Sequence, residues 1–198
     1  MNIQSKMSPR TKQQFESIRE EKRTIILDTA LGLFADRGYH NTPISQIAKR
    51  ARISQGLIYN YFRNKEDLLR ALMIGVWEKM AEKYLHVVPG QAYTRKDVEK
   101  FISDGITIVK ENPDYWKLYC SVMIQPAVVK LVLDELMEKG KPYILAMNRY
   151  FKQRGFKNPT AMTRYFSAVM DGIQMHIMLD PKNFPANEAK KLLIKQFT

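Results

Sequence analysis

Three features of this sequence predict an all-α fold. Apolar residues recur at three- and four-residue spacing through every extended segment. Prolines and glycines punctuate those segments at Pro89, Gly90, Pro113, Pro126, Gly140, Pro142, Gly155, Pro159, Pro181 and Pro185. No alternating strand pattern, hairpin dipeptide or internal repeat interrupts them. The 198 residues, 45% of them hydrophobic, are enough to bury a real core.

Residues 1–15 carry Lys6, Arg10 and Lys12 without periodicity and read as a flexible basic arm able to brush phosphates or a minor groove. Ile26, Ala30, Leu33 and Phe34 then form the buried stripe of a first helix running from Ile18 to Arg37, and Gly38 sits where a left-handed terminating residue is expected. Thr42 before Pro43 is a hydroxyl cap followed by a proline at the first helical position, so a second helix is expected to about Ala51, burying Ile44, Ile47, Ala48 and Ala51. Ser54 caps a third, expected to reach about Phe62. In it Ile58 and Phe62 turn inward and leave Gln55, Gly56, Tyr59 and Asn60 on the opposite side.

Residues 16–64 therefore read as a helix-turn-helix unit, and 65–198 as a connector helix followed by a second module. The connector starts at Asn64 and keeps its pattern through Leu69, Leu72, Met73, Val76, Trp77 and Met80. At ~1.5 Å per residue it would span about 30 Å. Val87 to Thr94 is the expected boundary, because Pro89 and Gly90 do not readily continue a helix. Further helices are expected over 95–110, 113–124, 126–139, 141–154, 160–179 and 187–197.

The net charge of +12 is spread evenly: residues 1–86 hold 15 basic and 9 acidic groups, the remainder 17 and 11, so each part nets +6. What distinguishes the N-terminal part is a window between Asp36 and Glu66 without any acid, where Arg37, Lys49, Arg50, Arg52, Arg63 and Lys65 favour a polyanion. The single cysteine, Cys120, excludes an intramolecular disulfide framework and fits a reducing cytoplasm. No apolar run resembles a signal sequence or approaches the ~20 residues of a membrane span, so a cytoplasmic protein without a membrane partner is expected. His40, His86 and His176 lack metal-ligand spacing, and there is neither a phosphate-cradling glycine loop nor a nucleophile signature. Catalytic residues, metal and cofactor are accordingly not expected, and the chain does not read as an enzyme.

The first helix, Gly38, Thr42, the run ISQIAKRA and the pattern S-x-G-x-I-Y-x-Y-F-x-N-K-E-x-L from Ser54 to Leu68 resemble the TetR family of bacterial transcriptional regulators over about residues 22–72. The resemblance implies a three-helix DNA-binding domain, a long fourth helix as connector and a C-terminal helical domain that dimerises and encloses a small-molecule pocket. It implies phosphate contacts from Thr42, Tyr59, Tyr61 and Lys65, and base-edge contacts from Ser45, Gln55, Gly56 and Asn60, on a palindromic double-stranded operator. Packing against helix one is the competing role for Tyr61. The family prior favours a repressor released by its effector; an architectural or effector-independent DNA-binding dimer is the alternative. One position departs from the pattern. The family commonly has glycine in the inter-helix turn where this chain has Arg52, and a left-handed conformation there would cost an arginine roughly 1 kcal/mol.

In the C-terminal part, Trp77, Phe101, Trp116, Tyr119 and Met123 are the expected walls of an effector pocket for a small apolar or aromatic molecule, although such a stripe serves core packing equally well. No acid lies between Asp114 and Asp134, which leaves Glu78, Glu82 and Asp104 as candidate counter-charges. Tyr165, Ala168, Val169, Gly172, Ile173 and His176 are expected at the homodimer interface, in a two-fold four-helix bundle with the segment around 142–155.

Overall fold

The structure, a computed structural model, describes residues 11–85, 88 and 90–198, so residues 1–10 of the expected arm and Val87 and Pro89 of the expected boundary lie outside the described residues. Ten helices and no strand are found among the described residues: α1 (Lys12–Arg37), α2 (Ile44–Ala51), α3 (Gln55–Tyr59), α4 (Lys65–Tyr84), α5 (Arg95–Glu111), α6 (Pro113–Met123), α7 (Pro126–Val129), α8 (Leu133–Gln153), α9 (Pro159–Leu179) and α10 (Ala186–Phe197). No helix among them is long and apolar enough to cross a membrane.

The first helix starts six residues earlier than its apolar stripe suggests. Thr11 accepts from the Gln14 amide while the Gln14 side chain accepts from the Thr11 amide, a reciprocal cap that satisfies two otherwise unpaired donors. Residues 12–15 are therefore helix and not arm. A second correction falls on Thr42. It does not cap α2, whose N-cap is Pro43 without a side-chain bond. Its hydroxyl is fully buried and donates to the carbonyls of Leu33 (3.3 Å) and Gly38 (2.9 Å), serving the carbonyl-rich end of α1 instead.

The head has one core, formed by Ile26, Ala30 and Phe34 of α1, Ile44, Ile47 and Ala48 of α2, Ile58 of α3 and Phe62. That core does not stop at residue 64. It continues without a gap through Leu68, Leu69, Leu72 and Met73 of α4 into Tyr115, Leu118 and Val122 of α6. The expected division between residues 64 and 65 thus marks a turn, capped by Asn64, whose side chain accepts from the Asp67 amide at 2.7 Å; it does not mark a break in packing.

The sequence also suggests two helices over 126–154 broken near Gly140. Instead α7 is a single turn, and α8 runs through Gly140 with Pro142 inside it. A proline in a helix interior costs ~3 kcal/mol. The cost is offset by the turns that follow, where Ala146, Met147, Tyr150 and Phe151 join a second core with Val98, Ile102, Phe166, Met170, Leu193 and Phe197 from α5, α9 and α10. Helices α5 and α9 approach closely at Gly105. A Cβ there would lie 2.5 Å from the Met170 methyl and 3.3 Å from the Gln174 amide nitrogen, which donates to the Gly105 carbonyl at 2.9 Å.

Candidate nucleic-acid interface and interior cavity

Helix α3 is only five residues long, and its caps define it. The Ser54 hydroxyl accepts from the Leu57 amide at 3.1 Å at one end, and Asn60 closes the other. Ile58 is fully buried beneath it and Phe62 follows into the same core, so the outer side is fixed: Gln55, Gly56, Tyr59 and Asn60 are all exposed, Tyr59 by 48%. A Cβ added at Gly56 would meet nothing within 4 Å. The fold does not require glycine there. Ser45, Lys49 and Arg50 of α2 are also exposed and extend this face.

The turn joining α2 to α3 holds Arg52 at φ 56°, ψ 43°, the left-handed region, the only non-glycine residue with positive φ among the described residues. The Ile53 amide donates to the Ala48 carbonyl at 3.1 Å and the Arg52 amide to that of Lys49 at 3.3 Å, which is the double bond of a Schellman turn. The sequence-based suspicion about this position is correct in its geometry, and the side chain is exposed beside α3.

The other expected phosphate contacts divide. Tyr61 is half-buried against the head core with the Arg19 guanidinium 5.9 Å above its ring, so packing takes part of it. Lys65, at the first position of α4, places its ammonium 4.3 Å from the Tyr39 ring centre and donates to the His40 carbonyl at 3.3 Å. Partial burial lowers its pKa, while burial and the Glu66 charge push the Tyr39 hydroxyl up to about 12. Thr42, enclosed as described, presents nothing to a phosphate.

All five expected pocket residues meet in one place. Trp77, Phe101, Trp116, Tyr119 and Met123 line a cavity of about 300 Å³ between α4, α5, α6, α8 and α9. The rings of Trp116 and Tyr119 stand edge to face at 5.2 Å, and Trp77 meets Tyr143 of α8 at 5.8 Å. The Trp116 indole nitrogen is buried and has no hydrogen-bond partner among the described residues. Four lining residues, Ser167, Met170, Asp171 and Gln174, come from α9 and were not anticipated. Their three- and four-residue spacing was visible, but so was that of the neighbouring face of α9, and nothing in the sequence distinguished which face turns to α6. Burial raises the Asp171 pKa, and it raises that of Tyr119 to about 12 with Asp171 adding to the shift. A larger, more polar cleft of about 430 Å³ lies between α1, α4 and α6, lined by Asp28, Lys79 and Asp114 among others.

Of the expected dimer residues, Tyr165, Ala168, Gly172 and His176 are exposed along one side of α9. Met175 and Leu179 continue this side at 46% and 62% exposure, and Ile144 and Leu145 on α8 add to the exposed apolar surface. Val169 and Ile173 turn partly inward onto the chain's own core, because a 3.6-residue period carries them off the outer side. His176 stacks on Phe184 at 5.8 Å.

Residues 26–72 match the family of bacterial regulatory proteins, tetR family. The chain is similar to YuxN, an uncharacterized HTH-type transcriptional regulator of Bacillus subtilis (strain 168), with 40% identity over 63% of this chain; the match spans about half (49%) of YuxN. Similarity to the HTH-type transcriptional regulator UidR of Escherichia coli (strain K12) is 30% identity over 80% of each protein. A crystal structure described as a tetR family transcription regulator from Shewanella sp. PV-4 shares the fold, with a TM-score of 0.74 at 23% identity over 89% of this chain and 95% of that one.

Proposed function

Because the chain belongs to the tetR family of bacterial regulatory proteins, whose members are DNA-binding transcription regulators and not enzymes, we propose that it is an effector-released repressor acting as a homodimer on a palindromic operator. The observation that carries this reading is the outer face of α3. Gln55, Gly56, Tyr59 and Asn60 stand in water on a helix anchored from below by Ile58, beside the exposed cations Lys49, Arg50 and Arg52. In this reading the side chains of Ser45, Gln55 and Asn60 meet base edges, Tyr59 holds the backbone, and Gly56 lets α3 approach the groove.

The dimer would form through α8 and α9, whose exposed apolar residues otherwise face water. Two such heads would occupy successive major grooves. Effector release has a physical route in α6. One side of it carries Trp116, Tyr119 and Met123 to the cavity, and the other carries Tyr115, Leu118 and Val122 into the core shared with α1 and α4. A ligand that displaces α6 would displace the head with it, and α4, which borders both cavity and head core, would follow.

Selection of bound fragments from a random DNA pool tests the reading. An inverted repeat is the expected product, and absence of any enriched sequence would remove the operator from the proposal. The alternative, an effector-independent architectural dimer, would take no ligand in its cavity, so a ligand screen by thermal shift separates the two.

A further inference from the structure

Among the described residues, two charged side chains line the cavity, Asp104 and Asp171, and both are acids; no lysine or arginine among them faces it. Asp104 is neutralised by an ion pair with Lys100, one turn earlier on α5. Asp171 has neither an ion pair nor a hydrogen bond among the described residues; it is exposed at the rim of the cavity and shares its lining with the rings of Trp77, Phe101, Trp116 and Tyr119. On the foundation of the effector reading, we infer that the ligand is a hydrophobic organic cation, an aryl or alkyl ammonium, whose charge is met by Asp171 and whose body lies on the aromatic wall.

Chemistry favours that class over the alternatives. An anion would meet an unpaired carboxylate at the rim of an aromatic cavity, where like charges repel. A neutral oil seated on the rings would cover the Asp171 carboxylate without pairing it, and partial burial already raises its pKa. A cation meets the carboxylate directly and the electron-rich ring faces at the same time. The expectation of a merely apolar or aromatic effector is thereby sharpened. The counter-charge comes from α9, outside Glu78, Glu82 and Asp104, the candidates suggested by the sequence.

The protein carries its own reporter, since its two tryptophans, Trp77 and Trp116, both line this cavity. Tryptophan fluorescence of the full chain is titrated with 4-phenylbutyltrimethylammonium, with its neutral tert-butyl isostere and with 5-phenylpentanoate, for the native protein and for Asp171→Asn. The expected result is quenching by the ammonium ion at a Kd at least about tenfold below that of either other probe, with the preference lost in Asp171→Asn. If the neutral or anionic probe binds the native protein as tightly as the cation, or if Asp171→Asn keeps the preference, the charge assignment is overturned while the pocket stands. If none of the three quenches tryptophan or raises the melting temperature, the effector pocket itself is refuted. Ranking the probes on the native protein needs no variant, so it holds even if Asp171→Asn folds poorly.

Discussion

On α3, Gln55, Gly56, Tyr59 and Asn60 look outward from a helix of five residues, whereas on α6, Trp116 and Tyr119 look inward from a helix of eleven. Both sets are placed by the same 3.6-residue period, yet they are fixed by different forces. The outer set is held in register by hydrogen bonds at helix ends and by Ile58 beneath, and its own side chains contribute little to stability. The inner set is part of the packing, so each of its residues both shapes the ligand space and supports the fold. Substitutions at the first should separate binding from stability, and substitutions near the second should not.

The largest effect is expected where the two regions share a core. Leu118 is fully buried between α6 and the head, and Leu118→Ala should cost about 2–5 kcal/mol, read as a fall in the chemical or thermal midpoint. If head and body are one cooperative unit, far-ultraviolet ellipticity and tryptophan fluorescence will fall together in a single transition. Two separated transitions would show that the head folds on its own and that α6 is a weak link to the cavity.

On the outer face, Gln55→Ala should leave the melting temperature unchanged within error while relaxing discrimination at one operator position by about 1–3 kcal/mol, measured by competition with single-base operator variants. Intact discrimination would remove Gln55 from base recognition. Gly56→Ala sharpens the contrast further. The added methyl meets open space within the protein, and alanine is the better helix former by roughly 1 kcal/mol, so the protein should be no less stable. Operator binding should nonetheless weaken by about tenfold or more, and unchanged affinity would mean that α3 does not approach DNA closely at this point.

What the sequence disclosed follows the same division. Caps and turn residues are local signals, so Ser54, Asn64 and the left-handed turn at Arg52 were readable from a few neighbours each. Thr42 shows the limit: a hydroxyl before proline has the form of a cap, and only the path of the chain back over α1 turns it to the carbonyls of Leu33 and Gly38. The aromatic members of the cavity were readable because Trp77, Phe101, Trp116 and Tyr119 cluster on the connector helix and the segments that follow it. Asp171 and Gln174 were not, since which side of α9 meets α6 depends on the packing of helices far apart in sequence. Pro142 misled for the opposite reason, a strong local signal being overridden by the tertiary packing of Tyr150 and Phe151.

The smallest expected effect is also the most diagnostic, because the molecule contains its own control. Helix α8 ends in the same double-bonded turn as α2, with the Phe156 amide on the Phe151 carbonyl at 3.2 Å and the Gly155 amide on that of Lys152 at 3.0 Å. There the left-handed position is glycine, at φ 82°. Gly155→Ala should therefore cost about 1 kcal/mol, and Arg52→Gly should return a similar amount, since arginine bears a strain that glycine does not. Arg52 keeps this strained position beside the exposed cations Lys49 and Arg50, which motivates a phosphate contact for its side chain. Arg52→Gly should then raise the midpoint of unfolding slightly while lowering operator affinity and reducing the slope of log affinity against log salt by about one. If stability rises and the salt slope does not move, Arg52 touches no phosphate, and the strain at this turn has no function in DNA binding.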